Sequence, residues 1–455
     1  MLGAVAWALG GRAWLHLRHP HEAHGYDGWY YVLQVRSLLD GDPLFADRSW
    51  AFAPMAAAGG LVGDVALGNA LVVIACAGLA TGLAGLTARR LGGDWAGALG
   101  AWVAATSAGH LALSAEFLKN AVGAVPLFAL LAWLAHPQER GPIPPTRALG
   151  AVALVGLAAM THKLCGVLAL GTLAAWGLGR LARGEGRREE LLPVLSLVAV
   201  GLVLVGAGTL RTVDLLRNLD KAPLDRWARV RLSNLGLPAR LELVALHLAP
   251  FAAPLVAWRR GMAWAPTAAG LAVVCAAPGL PFDFESLAWR LLTMGFVPLV
   301  LLVGLLRPPA PAAVLGCGLL LLGAPDTLQR EAARTPDYAA FQALLPVVQA
   351  TVPPDGRLVA HRGLCGFLWA EGGIPCETFE PEGDGHGVWR VAYGIDPARV
   401  APFGPVVPLL PAYLLVEEPV WRRFRAQQPA RSVAWGLRNP SAPRPPWVYG
   451  PQITP

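Results

Sequence analysis

The residues best suited to chemistry lie in one short stretch, "HEAHGYDGWYYVLQVRSLLDGDPLF", at residues 21–45. It gathers histidines, acidic residues and aromatic rings in a chain whose neighbouring segments are mostly alanine, leucine and glycine. Asp27 precedes an amphipathic pattern, and its carboxylate has two interpretations. It could cap the N-terminus of a helix, or it could act as a general base.

A metal site is a second interpretation of this stretch, because imidazole and carboxylate together suit zinc or manganese. Four histidines lie within nine residues: His16, His19, His21 and His24. Pro20 interrupts the i,i+4 spacing of a helical ligand pair, and histidines in such a loop are often simply solvated. His21 and His24 are therefore the metal-ligand candidates, with no metal as the alternative.

The second half of the stretch predicts an amphipathic helix that ends in a turn. Its apolar residues fall largely on one helical face: Trp29, Val32, Leu33, Val35, Leu38 and Leu39. Such a helix can lie in the membrane interface. Asp40 and Asp42 in "DGDP" could bind metal or substrate, but Gly41 and Pro43 favour a helix-ending turn.

The composition of the rest of the chain is typical of a helical membrane protein. Of 455 residues, 55% are hydrophobic and 15% charged, and the mean hydropathy is +0.47. The run at 65–87 is uncharged and long enough to cross ~30 Å of hydrocarbon. We predict an all-α polytopic domain over residues 1–324, with a first external loop at 18–64. Nucleic-acid binding is disfavoured, because no basic tract is interleaved with aromatics on a soluble segment.

About eleven membrane spans are predicted, counted as apolar runs with few or no charges. Met1–Leu17 is interpreted as the first rather than as a signal peptide, because it lacks a basic start and a cleavage site. The others are 65–87, 95–113, 120–135, 148–161, 164–179, 191–210, 241–258, 262–280, 291–306 and 310–324. The runs at 148–161 and 164–179 could instead be broken or re-entrant. Arginine placement puts the 18–64 loop outside the cytoplasm, although the arginine-rich loop 211–240 argues against this orientation.

Residues 325–455 have the composition of a small α/β domain, predicted to be extracytoplasmic in a multi-pass plasma (inner) membrane protein. A helix is predicted at 338–350, with strands at 356–361, 388–394 and 412–418, before a proline-rich tail. Cys365 and Cys376 are eleven residues apart in this domain. They could form a disulfide if the domain is extracytoplasmic, or remain two buried thiols.

Ionisable residues near the predicted span ends fall mainly on the extracytoplasmic side. Such residues are costly near a membrane unless they are paired or hydrated, so they mark candidate sites. They are His110, Glu116, Lys119, His162, Lys163, Glu242, His247, Asp283, Glu285 and Arg290. The predicted chemistry therefore faces away from the cytoplasm.

Short motifs add a family resemblance: "YDGWYY", "LLDGDPLF", "SAEFLKNAVG" (114–123), "THKLCG" (161–166) and "SLAWRLLTMGFVPL" (286–299). With the layout of most of residues 1–323, they make the chain similar to the GT-C superfamily of membrane glycosyltransferases. That superfamily includes protein O-mannosyltransferases, the aminoarabinose transferase of lipid A and the oligosaccharyltransferase catalytic subunit. The chain most resembles an uncharacterised bacterial and archaeal branch.

The resemblance implies transfer of a sugar, with inversion, from a polyprenyl-phosphate donor to an extracytoplasmic glycan, lipid or protein acceptor. Asp27 matches the first-loop carboxylate that activates the acceptor, and Glu116 a second acidic residue. The implied substrate-binding residues are Tyr30 and the cations that would neutralise the donor phosphate: Lys119, His162, Lys163 and Arg290. A divalent metal (Mn²⁺ or Mg²⁺) is needed by some family members only, so no cofactor is firmly implied.

Two other function classes remain open. A transporter or lipid flippase would share the polytopic layout, but it should show broken helices at matching places in two halves. A non-catalytic assembly partner would use Asp27 only as a helix cap. Replacing Asp27 by Asn separates these interpretations, because a cap tolerates that change and a general base does not.

Overall fold

The structure is a computed structural model that describes residues 1–25, 27–41, 44, 47–136, 144–182, 237–260, 264–276, 291, 293–332, 338–377, 383–393, 395–409 and 413–427. Its contacts separate two compact units. The helical unit comprises Met1–Arg18, Asp47–Ala58 and Ala70–Glu331. The sheet unit comprises His19–Ala46, Gly59–Asn69 and Ala332–Pro455, so most of the predicted first external loop groups with the C-terminal residues.

Most described residues in the N-terminal half of the chain are helical. Its helices are α1 (Leu2–Leu17), α2 (Gly28–Leu39), α3 (Phe52–Val62), α4 (Val65–Gly92), α5 (Asp94–Thr106), α6 (Ala108–Glu116), α7 (Leu118–Leu134), α8 (Pro145–Thr161) and α9 (Lys163–Ala182). The described part of the chain resumes at Leu237. It contains four further helices of the helical unit: α10 (Leu237–Arg260), α11 (Ala265–Ala276), α12 (Phe296–Leu306) and α13 (Ala310–Ala332).

Two of these helices, α4 and α13, are long and apolar enough to cross a membrane, among the residues described. Shorter apolar helices are α3, α7, α8 and α12. The predicted span 191–210 lies outside the described residues, and the number of eleven spans stays a prediction. The last predicted span, 310–324, continues without a break to Ala332.

Small residues let the helices of the helical unit approach closely. A Cβ added to Gly85 of α4 would lie 2.9 Å from the Ala101 Cβ of α5, and one added to Gly304 of α12 would lie 2.8 Å from the Leu91 Cβ. Helix α1 packs on α5 through a cluster of buried alanines that includes Ala8 and Ala105. Close approach through glycine and alanine is the usual packing of helices in membranes. Helices surrounded by lipid associate through van der Waals contact, because the hydrophobic effect does not drive them together.

The prediction of one continuous helix over 95–113 is wrong, because the chain breaks at Ser107. The Ser107 side chain accepts a hydrogen bond from the His110 backbone N–H at 3.1 Å, which makes it the N-cap of α6. The Ser107 hydroxyl donates to Glu242 of α10 at 2.5 Å, and the Ala108 N–H donates to the same carboxylate at 2.9 Å. A carboxylate at a helix N-terminus is stabilised by the unpaired amides and the helix dipole.

The end of α5 at the same break is satisfied by side chains from α1 and α6. The buried Arg12 donates from Nη1 to the Ala105 carbonyl at 2.7 Å, and His110 Nδ1 lies 2.9 Å from the Ala104 carbonyl. Cationic and N–H groups suit the negative end of a helix. These hydrogen bonds stabilise the break between α5 and α6. The break places α6, and the turn after it, at the end of the unit where the candidate cations lie.

A second break separates α8 from α9 and agrees with the two separate runs predicted at 148–161 and 164–179. Thr161 ends α8, and His162 adopts an extended conformation with φ −159° and ψ 132°. Lys163 is then the first residue of α9. The interruption places the three residues of "THK" where α8 ends and α9 begins.

The sheet unit has a five-stranded mixed sheet of order β2-β1-β3-β5-β4. Strands β1 (Arg357–Val359), β2 (Cys376–Glu377) and β3 (Val388–Tyr393) are parallel, whereas β4 (Val406–Leu409) and β5 (Tyr413–Glu417) complete it antiparallel. Its helices are α14 (Tyr338–Thr351), α15 (Arg362–Gly372), α16 (Pro397–Val400) and α17 (Glu418–Ala426), with a 3₁₀ turn at Ala401–Phe403. The predicted helix and three predicted strands are confirmed as α14, β1, β3 and β5.

Helix α2 contributes directly to the core of the sheet unit. Trp29 and Val32 are buried in the same apolar cluster as Phe341, Leu358 and Phe367. Complete burial of such an aromatic side chain contributes about 2–3 kcal/mol. The cluster also contains Cys365 and Cys376, which form a disulfide with Cα atoms 5.3 Å apart. The disulfide, one of the two alternatives that the sequence leaves open, is the one observed.

Candidate active site

Asp27 occupies the N-cap position of α2, but its side chain makes no capping hydrogen bond. Its backbone carbonyl accepts the Tyr31 N–H at 3.2 Å, as the first helical bond requires. The residue is only 5% exposed. Aspartate usually stabilises a helix start by capping its backbone N–H groups, and no such capping bond forms here. Capping therefore does not explain why an acidic side chain is buried at this position.

Close packing of the preceding loop fixes the start of α2. A Cβ added to Gly28 would lie 2.9 Å from the Ala23 carbonyl carbon, so only glycine fits beside Asp27. Tyr30 is half-buried, and its ring meets that of Tyr31 edge-on with centroids 5.3 Å apart.

At the C-terminal end of α2, Gly41 has a positive φ of 78°, and its N–H donates to the Leu38 carbonyl. This confirms the described part of the predicted turn, whereas Asp42 lies outside the described residues.

Among the described residues, the metal-ligand candidates of the same loop do not join a group of three possible ligands. His21 Nδ1 lies 2.6 Å from Asp64 Oδ2, and Asp64 also accepts the Leu67 N–H at the start of α4. Burial alone would raise the pKa of Asp64, but the hydrogen bonds from His21 and Leu67 outweigh it and lower the pKa. His24 is half-buried. Within the described ranges, no group of three or more His, Cys, Asp or Glu side chains could hold a metal ion.

Lys119 in the helical unit forms an ion pair that the sequence analysis did not anticipate. Its ammonium group contacts the carboxylate of Asp47, and their side chains are 16% and 27% exposed. The Lys119 Nζ also lies 5.5 Å from the centroid of the Phe52 ring. Asp47 follows no motif; the only sequence signal was an acidic residue in the predicted external loop.

The segment that carries Asp47 also reaches the end of α8. The Ser49 hydroxyl donates to the Thr161 carbonyl, and the Trp50 N–H donates to the Met160 carbonyl at 3.0 Å. The start of α7 meets the start of α9, because a Cβ added to Gly123 would touch Cys165. These contacts place Lys119, Asp47 and the Thr161–Lys163 turn at the same end of the helical unit.

The remaining predicted residues differ in their surroundings. His162 is half-buried, and its Nδ1 accepts the Leu164 N–H at 3.1 Å. Lys163 is exposed and has no ion-pair partner among the described residues. Glu116 is half-buried at the last position of α6, two residues before Leu118 begins α7. Arg290, with Asp283 and Glu285, lies outside the described residues.

Comparisons with solved structures identify the fold. The crystal structure of ArnT from Cupriavidus metallidurans bound to undecaprenyl phosphate matches with a TM-score of 0.52 and 15% identity, over 91% of this chain and 97% of that one. The Archaeoglobus fulgidus oligosaccharyltransferase in complex with zinc and sulfate matches with a TM-score of 0.51 and 14% identity, over 82% of this chain and 62% of that one. Both are GT-C glycosyltransferases, so the chain has the fold of that superfamily.

Comparisons of sequence do not add to this result. No protein-family model matches the chain, and no curated protein matches it. The family resemblance seen in the sequence motifs is therefore confirmed by the fold. The assignment of individual residues depends on the local geometry described above.

Proposed function

We propose that this protein is an integral membrane glycosyltransferase that transfers a sugar from a polyprenyl-phosphate donor to an extracytoplasmic acceptor, with inversion. One observation carries the proposal beyond the fold. Asp27 is a buried carboxylate at the start of a first-loop helix that it does not cap. A carboxylate held at this position is suited to act as a general base.

The proposed reaction is a single displacement. Asp27 accepts the proton of an acceptor hydroxyl or amine group while that group attacks the anomeric carbon of the sugar. The bond between this carbon and the phosphate oxygen breaks, and polyprenyl phosphate leaves with the electron pair. Attack on the face opposite the leaving group inverts the anomeric configuration. The products are the glycosylated acceptor and polyprenyl phosphate, and no metal is needed for the balance.

The cations at the end of the helical unit where α7 and α9 begin are proposed to bind the donor phosphate. Lys119, His162 and Lys163 are brought to one end of that unit, and Arg290 is retained from the sequence analysis. Cations fixed in a site of low dielectric constant stabilise the negative charge that grows on the leaving phosphate. Glu116, on the turn before Lys119, is a second candidate acid, and Tyr30 a candidate substrate contact.

The disulfide supports the proposed sidedness of the sheet unit. Disulfides persist in oxidising compartments and are rare in the cytosol, and Cys365 is bonded to Cys376. An extracytoplasmic sheet unit is therefore proposed, on the same side as the first loop.

The proposal is tested by transfer assays with purified protein in lipid nanodiscs. A panel of radiolabelled polyprenyl-phosphate sugars is incubated with membrane extract, and wild type is compared with Asp27→Asn. We expect label to reach an acceptor with wild type and the rate to fall by about 10²–10⁴-fold in the variant. Asp40→Asn at the exposed other end of α2 is the matched control and should keep wild-type rates.

Two results would count against the proposal. Undiminished transfer by Asp27→Asn removes the base assignment. No transfer by wild type from any polyprenyl monophosphate directs attention to diphosphate-linked donors, to a flippase or to a non-catalytic assembly partner.

A further inference from the structure

We infer that α15 of the sheet unit positions Asp27, through a close contact between Gly366 and Trp29 and through the disulfide at the neighbouring residue. Gly366, Cys365 and Arg36 are thus positioning residues. The inference rests on the proposed function in one respect only, the role of Asp27 as base. The mechanical part, that α15 holds α2 in place, concerns the sheet unit alone and can be tested by itself.

The first contact lies near the N-terminus of α2, two residues after Asp27. A Cβ added to Gly366 would lie 2.8 Å from the Trp29 Cβ and 3.4 Å from its carbonyl carbon. The Trp29 ring meets the Phe367 ring edge-on with centroids 5.4 Å apart. Because the neighbour of Gly366 is a Cβ and backbone rather than a flexible side-chain end, an added methyl group would force the two helices apart.

The second contact lies near the other end of α2. Arg36 donates from Nη1 to the Ala370 carbonyl at 2.8 Å, and its Nη2 is 3.2 Å from Glu371. Ala370 is in the last turn of α15, where carbonyls have no partner within the helix. A guanidinium there satisfies a carbonyl and is favoured by the helix dipole. Helix α2 is therefore attached to α15 at both ends, which fixes its direction as well as its position.

The disulfide anchors this arrangement to the sheet. Cys365, directly before Gly366, is bonded to Cys376 of β2, and β2 pairs with β1 in parallel register. A covalent link therefore runs from the sheet to the residue next to the closest α2 contact. Any shift of α15 along the sheet would move Trp29 and, with it, the buried carboxylate two residues before it.

Gly366→Ala gives a test in which two physical effects oppose each other. Alanine is the better helix former by about 1 kcal/mol, so the substitution strengthens α15 taken by itself. The steric contact with Trp29 acts in the other direction and predicts displacement of α2. Gly156→Ala in α8 is the matched control, because a Cβ there meets nothing within 4 Å.

The measurement is hydrogen–deuterium exchange of full-length protein in nanodiscs, followed at the peptide that covers α2. We expect Gly366→Ala and the double variant Cys365→Ser/Cys376→Ser each to raise exchange at residues 28–39 by about tenfold. Gly156→Ala should leave it unchanged. Unchanged exchange in both Gly366→Ala and the cysteine double variant would overturn the inference, and Arg36→Gln provides a third variant should either fail to fold.

Transfer kinetics then test the link to catalysis. We expect Gly366→Ala to lower kcat by about 10–100-fold, with the KM for the donor within twofold of wild type, because the proposed phosphate-binding residues belong to the helical unit. A change confined to KM would contradict positioning of the base. If wild type transfers no sugar, the proposed function fails, while the exchange data still decide whether α15 holds α2.

Discussion

The carboxylate of Asp47 contacts the ammonium group of Lys119, and both side chains are largely withdrawn from solvent. Lys119 is the second residue of α7, whereas Asp47 precedes α3 in a segment hydrogen-bonded to the end of α8. The cation that we propose for the donor phosphate, Lys119, is therefore already paired with the Asp47 carboxylate. A lysine held in this way is suited to exchange one oxygen anion for another.

Replacement of Lys119 should specifically lower kcat/KM for the donor. Lys119→Gln loses a charged hydrogen bond to the phosphate, which contributes about 1.5–3 kcal/mol, so kcat/KM for the donor should fall by about 10–150-fold. Transfer kinetics with varied donor concentration measure this loss. Lys221→Gln, outside the described residues, is a control for the loss of one lysine charge. Equal losses in both variants would mean that the effect is not specific to Lys119.

Removal of the negative charge of Asp47 should strengthen the binding of polyprenyl phosphate. Asp47→Asn keeps the shape of the side chain but no longer offers Lys119 a negative charge. We expect polyprenyl phosphate to bind about threefold more tightly, because a partly exposed ion pair that contributes up to about 1 kcal/mol no longer competes. Direct binding of radiolabelled polyprenyl phosphate to protein in nanodiscs measures it. Weaker binding in Asp47→Asn would show instead that Asp47 orients Lys119.

We expect His361 to make the stability of the sheet unit sensitive to acid. Its Nδ1 accepts the Leu364 N–H at the start of α15, and its Nε2 is 3.2 Å from the Tyr413 hydroxyl. Burial lowers the pKa of His361 from 6.5 to about 4. Protonation would turn an acceptor into a donor at a helix N-terminus, where positive charge is unfavourable.

The sign of the pH dependence follows from this lowered pKa. Above pH 6.5 the ring is neutral in folded and unfolded chains, so stability is unaffected. Between pH 6.5 and about 4 only the unfolded chain takes up the proton, and the free energy of unfolding should fall by about 2–3 kcal/mol. His361→Asn preserves an N-cap acceptor and should remove this part of the dependence in thermal unfolding scans. An identical pH profile in both proteins would contradict the prediction.

The disulfide should be formed in the cell, and it should matter for stability. A maleimide reagent applied to denatured protein should modify Cys365 and Cys376 only after reduction, and mass spectrometry of the peptides measures this. Loss of a disulfide across a loop of this length costs about 2–3 kcal/mol in the chain-entropy account. Replacement of Cys317 in α13 provides a control, because it is a free thiol. Labelling of Cys365 and Cys376 without reduction would contradict the proposed extracytoplasmic location.

Strands and helices of the sheet unit were predictable where their patterns are long. Strands β1, β3 and β5 and helix α14 follow from alternation and helical periodicity. Strand β2 has two residues, and β4 contains Pro408, so neither shows a strand pattern. The docking of α2 on α15 was not predictable, because Gly366 and Trp29 are far apart in sequence and neither forms a recognisable motif.

The helical unit shows the same limit of local information. The break at Ser107 lies in an apolar run, and the carboxylate that stabilises it, Glu242, is 135 residues away. The sequence placed Asp27 at a helix start, but only the structure shows that its side chain does not cap. Asp47 was missed because its partner, Lys119, is defined by the tertiary fold.

Asp27 belongs to the sheet unit, whereas Lys119, His162 and Lys163 belong to the helical unit. In the proposed reaction, the group that activates the acceptor and the groups that recognise the lipid-linked donor are thus encoded by separately packed parts of one chain. On the proposed function, we expect substitutions in the sheet unit to change acceptor choice and to leave donor recognition unchanged. Chimaeras that exchange sheet units between homologous enzymes are, for the same reason, a rational route to redirecting glycosylation.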